Sequence, residues 1–570
     1  MANIFNSIPL SRVKRSKFNL SHLNKLTCDM GTLVPFTVQE VLPNDRFRVK
    51  TSQLIRFAPM IAPIMSEIDC YVHFFFVPHR IAWQGWEDFI TGSHKGKILP
   101  EDELPQKPVL RLNQSTIFSD AQGAPDGRFQ PRSLMDYLGF QTFNPSDRAP
   151  GGQSLDYDVD LMPFLSYYKI WYDYYRDENL ENVTDDDEIS EMSGVFDFSP
   201  TDPNYTKLLQ VLSLRRRAWR KDYFTSALPF AQKGDDVLIP GQDSDPISFR
   251  SGTIRTSSYM EGVGEFTSQG PTGTILPVSF NPTGPDAITG HLRLASPGFN
   301  LNLKPLYQDF DPSSLNAFIE SGQASAATIR ELRRAMAAQK FLERRAVGGS
   351  RYIEQNYAMF GAKSSDGRLQ RAEFLGGSKQ PVVISQVLQQ SQTTDSSPQA
   401  NPAGTAVSSG GKFIFDRTFE EYGYIIGILS VIPRADYITG IPRKYLRESP
   451  YDYYWPQFAH IGEQPIYNKE LYMSISGSVD NNMGTFGYTP RYAEYRHNRN
   501  EVHGDFRDTL KFWTLARDFA DTQRLNAAFI QCNPSNRVFA VQDTDYSNLW
   551  VELAVEIHAL RPIPKYAENL

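Results

Sequence analysis

Little in this 570-residue chain invites a covalent or metal-based framework. Only three cysteines occur, Cys28, Cys70 and Cys532, far apart and without a CxxC pair. That spacing excludes a disulfide scaffold and a cysteine-zinc knuckle, and it suits a reducing compartment. Long apolar runs are missing too, since no stretch approaches the ~18 consecutive apolar residues of a membrane helix. The opening MANIFNSIPLSRVKRSKFNLSHLNKL has no apolar centre, so it does not read as a secretory signal. An excess of positive charge is also lacking. Lys and Arg total 58 against 65 Asp and Glu, a net charge of −7, so any grip on nucleic acid must be local.

Catalytic signatures are equally scarce. There is no HExxH and no GxSxG, and the nine histidines do not cluster at metal-ligand spacing. His73 and His79 flank an apolar run and read as structural. SSGGKF at 408–413 has Phe413 where a phosphate loop needs Ser or Thr, and the earlier glycine is missing. Gly262 and Gly264 mark a turn. Nine acidic residues crowd 173–191, Asp185, Asp186 and Asp187 among them, but without the spacing of a calcium loop. They read as a solvated acidic loop. No cofactor and no metal are expected.

What is present favours β-structure. Aromatics reach 13%, with 28 Tyr and 37 Phe, and Gly and Pro contribute 38 each. In SEIDCYVHFFFVP, Ile68, Cys70, Val72, Phe74 and Phe76 share one face, with Asp69, Tyr71 and His73 on the other. Near the end, Val551, Leu553, Val555 and Ile557 alternate with Glu552, Ala554, Glu556 and His558. YGYIIGILSVIP (422–433) is apolar on both faces and reads as sheet interior. Strands this far apart imply a core that closes only when the termini meet. Helices are expected at 163–176, at 328–347 (capped by Thr328 and Glu331) and, shorter, at 508–519.

Two stretches differ in composition. Residues 234–300 hold 10 Gly and 7 Pro and no lysine, which suits an elaborate surface insertion. Residues 386–412 read as a polar low-complexity loop. The basic residues Arg12, Lys14, Arg15 and Lys17 give an acidic protein a basic arm, readable as a frayed terminus or as a phosphate contact. In LRRRAWRKDYF, the cations Arg215, Arg216, Arg217, Arg220 and Lys221 interleave with Trp219 and Tyr223. That pattern fits single-stranded nucleic acid or, equally, salt bridges to loop carboxylates. The helix at 328–347 carries six basic residues against two acidic ones, a solvated face or a partner face.

Several unusual strings occur in fixed order. They are VHFFFVPHRIAW (72–83) with WEDFITG (86–92), SYYKIWYDYYRDENL (166–180), LRRRAWRKDYFTSALPFAQKG (214–234) and IRELRRAMAAQKFLERRAVGGSRYIE (329–354). RLQRAEFLGG (368–377), YDYYWPQFAHIGEQPIYNKELY (451–472), FGYTPRYAEYRHNRNEVHG (486–504) and RPIPKY (561–566) follow. Together they resemble the major capsid protein of the Microviridae, small single-stranded DNA bacteriophages, and within them the gokushovirus branch. The resemblance spans nearly the whole chain and is weakest in 234–310 and 386–412.

The resemblance implies a mainly β protein, an eight-stranded antiparallel jelly roll with long loop insertions and a few short helices. It implies assembly in the host cytoplasm into a small icosahedral virion shell around circular single-stranded DNA. Implied partners are further copies of the chain, the packaged DNA, a small internal DNA-binding protein, a minor pilot protein and a host surface receptor. The expected layout is a basic arm (1–31), a first part of the roll with helical loops (32–233), a surface insertion forming threefold protrusions (234–310) and the remainder (311–570). DNA-contact candidates are Arg12, Lys14, Arg15, Lys17, Arg215, Arg216, Arg217, Trp219, Arg220 and Lys221. Tyr451, Tyr453, Tyr454 and Trp455 are intersubunit candidates, because aromatics dominate interface energetics. A β-rich enzyme acting on polysaccharide and a glycan- or DNA-binding module are the competing readings, motivated by the abundant aromatics, the carboxylates and the basic arm.

Overall fold

Ten strands alternate or run apolar in a way that closes two facing sheets. They are β1 (Ser16–Asn19), β2 (His22–Cys28), β3 (Val34–Val41), β4 (Arg46–Phe57), β5 (Ile68–Pro78), β6 (Glu373–Pro381), β7 (Val383–Leu388), β8 (Pro402–Thr418), β9 (Gly423–Pro433) and β10 (Leu549–Arg561). The computed structural model describes residues 14–94, 97–98, 100, 103–118, 125–147, 156–235, 237, 279–282, 290–293, 329–349, 351–361, 365–388, 402–460, 462–474, 479–543 and 545–566.

One sheet runs β1-β10-β4-β8-β7, with β2 beside β1 on the same edge of β10; the other runs β6-β5-β9-β3. All these pairings are antiparallel. Counting β1 and β2 as one broken strand and β7 as an added edge, eight strands remain. In chain order they read 1-8-3-6 in one sheet and 2-7-4-5 in the other. That order is the jelly roll, two interlocked Greek keys. The first strand pairs with the last, so the sheet needs both ends of the chain.

The core between the sheets follows from strand periodicity. On β4, Phe47, Val49, Ile55 and Phe57 point inward, and on β10, Leu549, Val551, Leu553, Val555 and Ile557 do so. They meet Ile68, Cys70, Val72, Phe74 and Phe76 of β5 and Ile425, Leu429 and Val431 of β9. The opposite faces of β5 and β9 are apolar too. Phe75, Val77, Ile426 and Ile428 join a second core built by the long β5–β6 connection.

That connection supplies helix α1 (Met162–Ile170), buried at all nine positions, which runs into one π turn at Trp171–Tyr175. Pro163 sits in its first turn, where a missing N–H costs nothing. Tyr167 Oη donates to the Leu33 carbonyl at 2.8 Å, tying the helix to the sandwich. A third core gathers around Phe224, Tyr437, Ile466, Phe486 and Phe529, largely from the β9–β10 connection.

The chain divides into two compact units, residues 1–235 with 340–570, and residues 236–339. In the second, the described parts are an antiparallel hairpin (Ser279–Pro282 with Gly290–Arg293) and the first half of helix α2 (Ile329–Val347). The expected insertion at 234–310 falls mostly outside the described residues, as does Thr328.

Four expectations need correction. Residues 402–412 are strand, not loop, because β8 pairs with β4 and β7 along its length. Its small residues are a packing need: a Cβ on Gly404 would stand 2.5 Å from the Ala62 carbonyl oxygen. Residues 16–28 are ladder strands rather than a free arm. In place of the helix expected at 508–519 stands one 3-10 turn, Lys511–Trp513, with another just before it at Gly504–Arg507. Tertiary bonds override its period, since Met65 N–H reaches the Trp513 carbonyl at 2.8 Å and Leu515 N–H reaches Ser66 Oγ at 3.0 Å. The acidic stretch is only partly solvated. Asp173 and Asp186 are drawn inward as counter-ions of the buried Lys169.

Candidate interaction surfaces

Arg215, Arg216 and Arg217 form a strap through the subunit. Leu33 N–H donates to the Arg215 carbonyl (2.9 Å), Arg217 N–H to the Gly31 carbonyl (2.7 Å), and Cys532 N–H to the Arg217 carbonyl (2.8 Å). Gly31 has φ +84°, and a Cβ there would lie 1.9 Å from the Cys532 oxygen, so only glycine lets the three segments meet. The side chains are committed as well. The Arg215 guanidinium lies 4.0 Å from the Trp171 ring centre and donates to the Gln210 carbonyl at 2.6 Å. Arg217 lies 4.1 Å over Tyr71 and donates to Ser430 Oγ at 2.8 Å. Arg216 reaches the Met30 and Cys532 carbonyls, each at 3.3 Å.

Burial lowers the affinity of Arg215 for its proton. Burial, with Arg217 nearby, also holds His73 down at about 4, and its Nδ1 sits 2.7 Å from Tyr175 Oη. Trp219 is buried in the third core. The salt-bridge alternative read from the sequence does not describe these three arginines. Aromatic faces, carbonyls and the Ser430 hydroxyl engage them, and among the described residues no carboxylate pairs with them.

Arg220 and Lys221 differ. Both are exposed, and Arg220 makes a 3.3 Å ion pair with Asp69. Lys14, Arg15 and Lys17 are exposed at the start of the first strand, while Arg12 lies outside the described residues.

The aromatic segment is on the surface, so these rings do not fill the subunit's own core. Tyr451 is 67% exposed, Tyr453 53%, Tyr454 49% and Trp455 48%. The segment is nevertheless ordered by local bonds. Ser449 caps the turn Pro450–Asp452, and Trp455 Nε1 donates to the Pro450 carbonyl at 2.9 Å. Tyr454 packs edge-on against Tyr492 (5.0 Å) and Tyr495 (5.9 Å), and the Arg447 guanidinium sits 4.5 Å over Tyr495. Tyr492, nearly buried, adopts φ +64°, strained for a bulky side chain, and so turns Tyr495 toward the patch. Exposed and prearranged Tyr, Trp and Arg are the composition of interface hot spots. Helix α3 (Tyr352–Phe360) adds exposed Tyr352, Tyr357 and Phe360.

Among the described residues no group of three or more His, Cys, Asp or Glu is arranged to hold a metal ion. All three cysteines are buried and free; burial pushes the Cys28 thiol far up and those of Cys70 and Cys532 to about 12. Thiols so hard to ionise are poor nucleophiles. No described helix is long and apolar enough to cross a membrane.

Comparison with known proteins places the chain in a family. The family described as "Capsid protein (F protein)" matches residues 6–570. The chain is 36% identical over 622 residues to the capsid protein VP1 of Chlamydia phage 1, covering 100% of this chain and 97% of that one. It is 32% identical to the capsid protein VP1 of Bdellovibrio phage phiMH2K (99% and 96% covered) and 26% identical to that of Spiroplasma virus 4 (98% and 95%).

Proposed function

The chain belongs to the capsid protein (F protein) family, and from that premise we propose how its surfaces divide the work of a shell. It is a structural protein of the virion, not an enzyme, and its partners in the shell are its own copies. The finer reading is a small icosahedral lattice around circular single-stranded DNA. A closed shell of identical subunits needs heterologous contacts whose rotations close, and the loops between strands are the parts free to make them. The observation that carries the reading is the ordered, exposed aromatic patch at 451–455 on a chain whose own cores are already filled.

DNA contact falls to exposed cations, Lys14, Arg15, Lys17, Arg220 and Lys221, meeting phosphates without regard to sequence. Arg215, Arg216, Arg217 and Trp219 support that surface from within, and Arg12 extends the basic end. The insertion at 234–310 forms threefold protrusions and meets a host surface receptor. A small internal DNA-binding protein and a minor pilot protein complete the particle.

Sedimentation and electron microscopy of expressed protein test the reading. Closed small shells, or rings that convert to them, are expected; a solitary monomer under all assembly conditions overturns it. Deleting 234–310 is expected to leave the subunit folded and to abolish attachment. Unchanged infectivity removes the receptor role.

A further inference from the structure

The two sheets differ sharply on their outer faces. Loops bury the outside of β5 and β9, whereas the outside of β1/β2-β10-β4-β8 is open. Strand register places the open side chains in rows. Thr27, Trp550, Arg56 and Val407 lie in one, Asn19, His558, Arg48 and Asp416 in another, and Lys17, Leu560, Arg46 and Thr418 in a third.

Six cations stand on this face (Lys17, Lys25, Arg46, Arg48, Lys50, Arg56) against three carboxylates (Asp416, Glu552, Glu556), so it is basic on a chain of net charge −7. Arg46 is paired with Asp416 at 2.7 Å and Lys50 with Glu556 at 3.1 Å. Lys17, Lys25, Arg48 and Arg56 form no ion pair among the described residues. Two aromatic rings lie open on the same face, Trp550 (48% exposed) and Phe413 (47%), the latter with the Arg48 guanidinium 5.6 Å from its centre. Between them, Ala554, Ser52 and Gly411 form a floor of small side chains across three strands. Counting along β4 from Arg56 to Lys50, the rings are about 20 Å apart.

We propose that this open sheet face is the wall against which packaged single-stranded DNA lies, with unpaired bases stacking on Trp550 and Phe413 and phosphates meeting Lys17, Lys25, Arg48 and Arg56. The proposal rests on the packaging reading above. Unpaired cations interleaved with open rings suit a single strand, whose affinity comes from phosphate neutralisation and sequence-tolerant stacking. The same face is a poor protein interface, because interface cores are depleted of charge and here charge recurs in row after row.

Ultraviolet cross-linking of intact particles, followed by peptide mapping, is the test. Nucleotide adducts are expected on the peptides carrying Trp550 and Phe413. The full-length Trp550→Ala/Phe413→Ala variant, as unassembled subunits, is expected to bind a dT oligonucleotide at least tenfold more weakly than wild type. In the same assay, Arg48→Gln/Arg56→Gln should flatten the salt dependence. Because all four side chains are exposed, unchanged unfolding midpoints show that the variants fold. Particles that hold DNA but give adducts only elsewhere, or protein–protein cross-links at these two rings, overturn this inference and leave packaging standing. Particles that hold no DNA overturn both.

Discussion

Tyr451 offers a clean separation of folding from assembly. Its backbone N–H, not its side chain, bonds Ser449 Oγ at 3.3 Å, and its ring meets that of Phe458 edge-on with centres 6.1 Å apart. Tyr451→Ala therefore costs the isolated subunit no more than about 0.5–1 kcal/mol, as an exposed substitution should. The cost in a shell is different. A tyrosine buries roughly 150–250 Å² when fully covered, and this one has two-thirds of its surface still open, so about 100–150 Å² is left for a neighbour to cover. At about 25 cal/mol per Å² that is roughly 2.5–4 kcal/mol for each contact, or on the order of a hundredfold in its association constant.

Every subunit of a closed shell repeats the contact, so the loss recurs around the particle. Sedimentation of assembled material beside thermal unfolding of free subunits measures the two costs separately. Tyr451→Ala should leave the unfolding midpoint within a few degrees of wild type and leave the protein as free subunits or open fragments. Trp455→Ala is a less clean variant, because its Nε1 bond to Pro450 is lost as well. Wild-type shell yield from Tyr451→Ala would refute the reasoning. So would hydrogen exchange at 451–455 that is the same in free subunits and in shells.

Arg217→Met should destabilise the subunit by about 2–4 kcal/mol, from the lost charge-assisted bond to Ser430 and the lost stacking on Tyr71. It should show as a lower unfolding midpoint, with normal DNA content in whatever particles form. Glu463 is held up at about 7, first by burial and then by the neighbouring Glu343 carboxylate. The folded state therefore favours its protonated form, and stability from this group is lost as pH rises from about 4.5 to 7. Glu463→Gln should accordingly melt higher than wild type above that window and like wild type below it. His73 and His79, both held down at about 4 by burial, work in the other direction: stability they support above 6.5 is lost as pH falls toward 4. Iodoacetamide should label Cys28, Cys70 and Cys532 only as the subunit unfolds; rapid labelling of native protein would contradict their burial.

The sandwich was legible wherever burial leaves a period. The alternation of β10 and β5, and the two-faced apolar text of β9, are direct consequences of one or two covered faces. β8 was hidden because a strand near a sheet edge, covered only on alternate residues, tolerates Ser, Thr and Gly at the rest. The 508–519 stretch misled because its apolar spacing serves bonds to 65–66, which no local window contains. At the candidate sites, the aromatic segment was legible because Tyr and Trp without a strand or helix period have no obvious inward face. The arginine strap was not. A run of cations looks the same whether it meets phosphate or the faces of Trp171 and Tyr71, and only the distant placement of those rings decides.

That ambiguity has a general cause in this fold. A jelly roll fixes its first strand against its last, so segments from opposite ends of the chain must meet in the same sheet. The 215–217 strap stands between Gly31, just past the end of β2 at Cys28, and Cys532, which precedes β10. Its charge is therefore spent holding the closure of the roll, at a place where lysine could not replace arginine. Stacking over a ring while donating to a carbonyl or hydroxyl needs a planar cation with several donors. Cations that face outward carry no such demand, and on the open sheet Lys and Arg share one strand face, at Lys50 and Arg48, and one row, at Lys17 and Arg46. Arg→Lys exchange should thus divide the basic residues into two classes. At 215 and 217 it should lower the unfolding midpoint, and at 48 and 56 it should leave both folding and DNA retention intact. If the two sets respond alike, the division of labour between internal strap and outward wall is wrong.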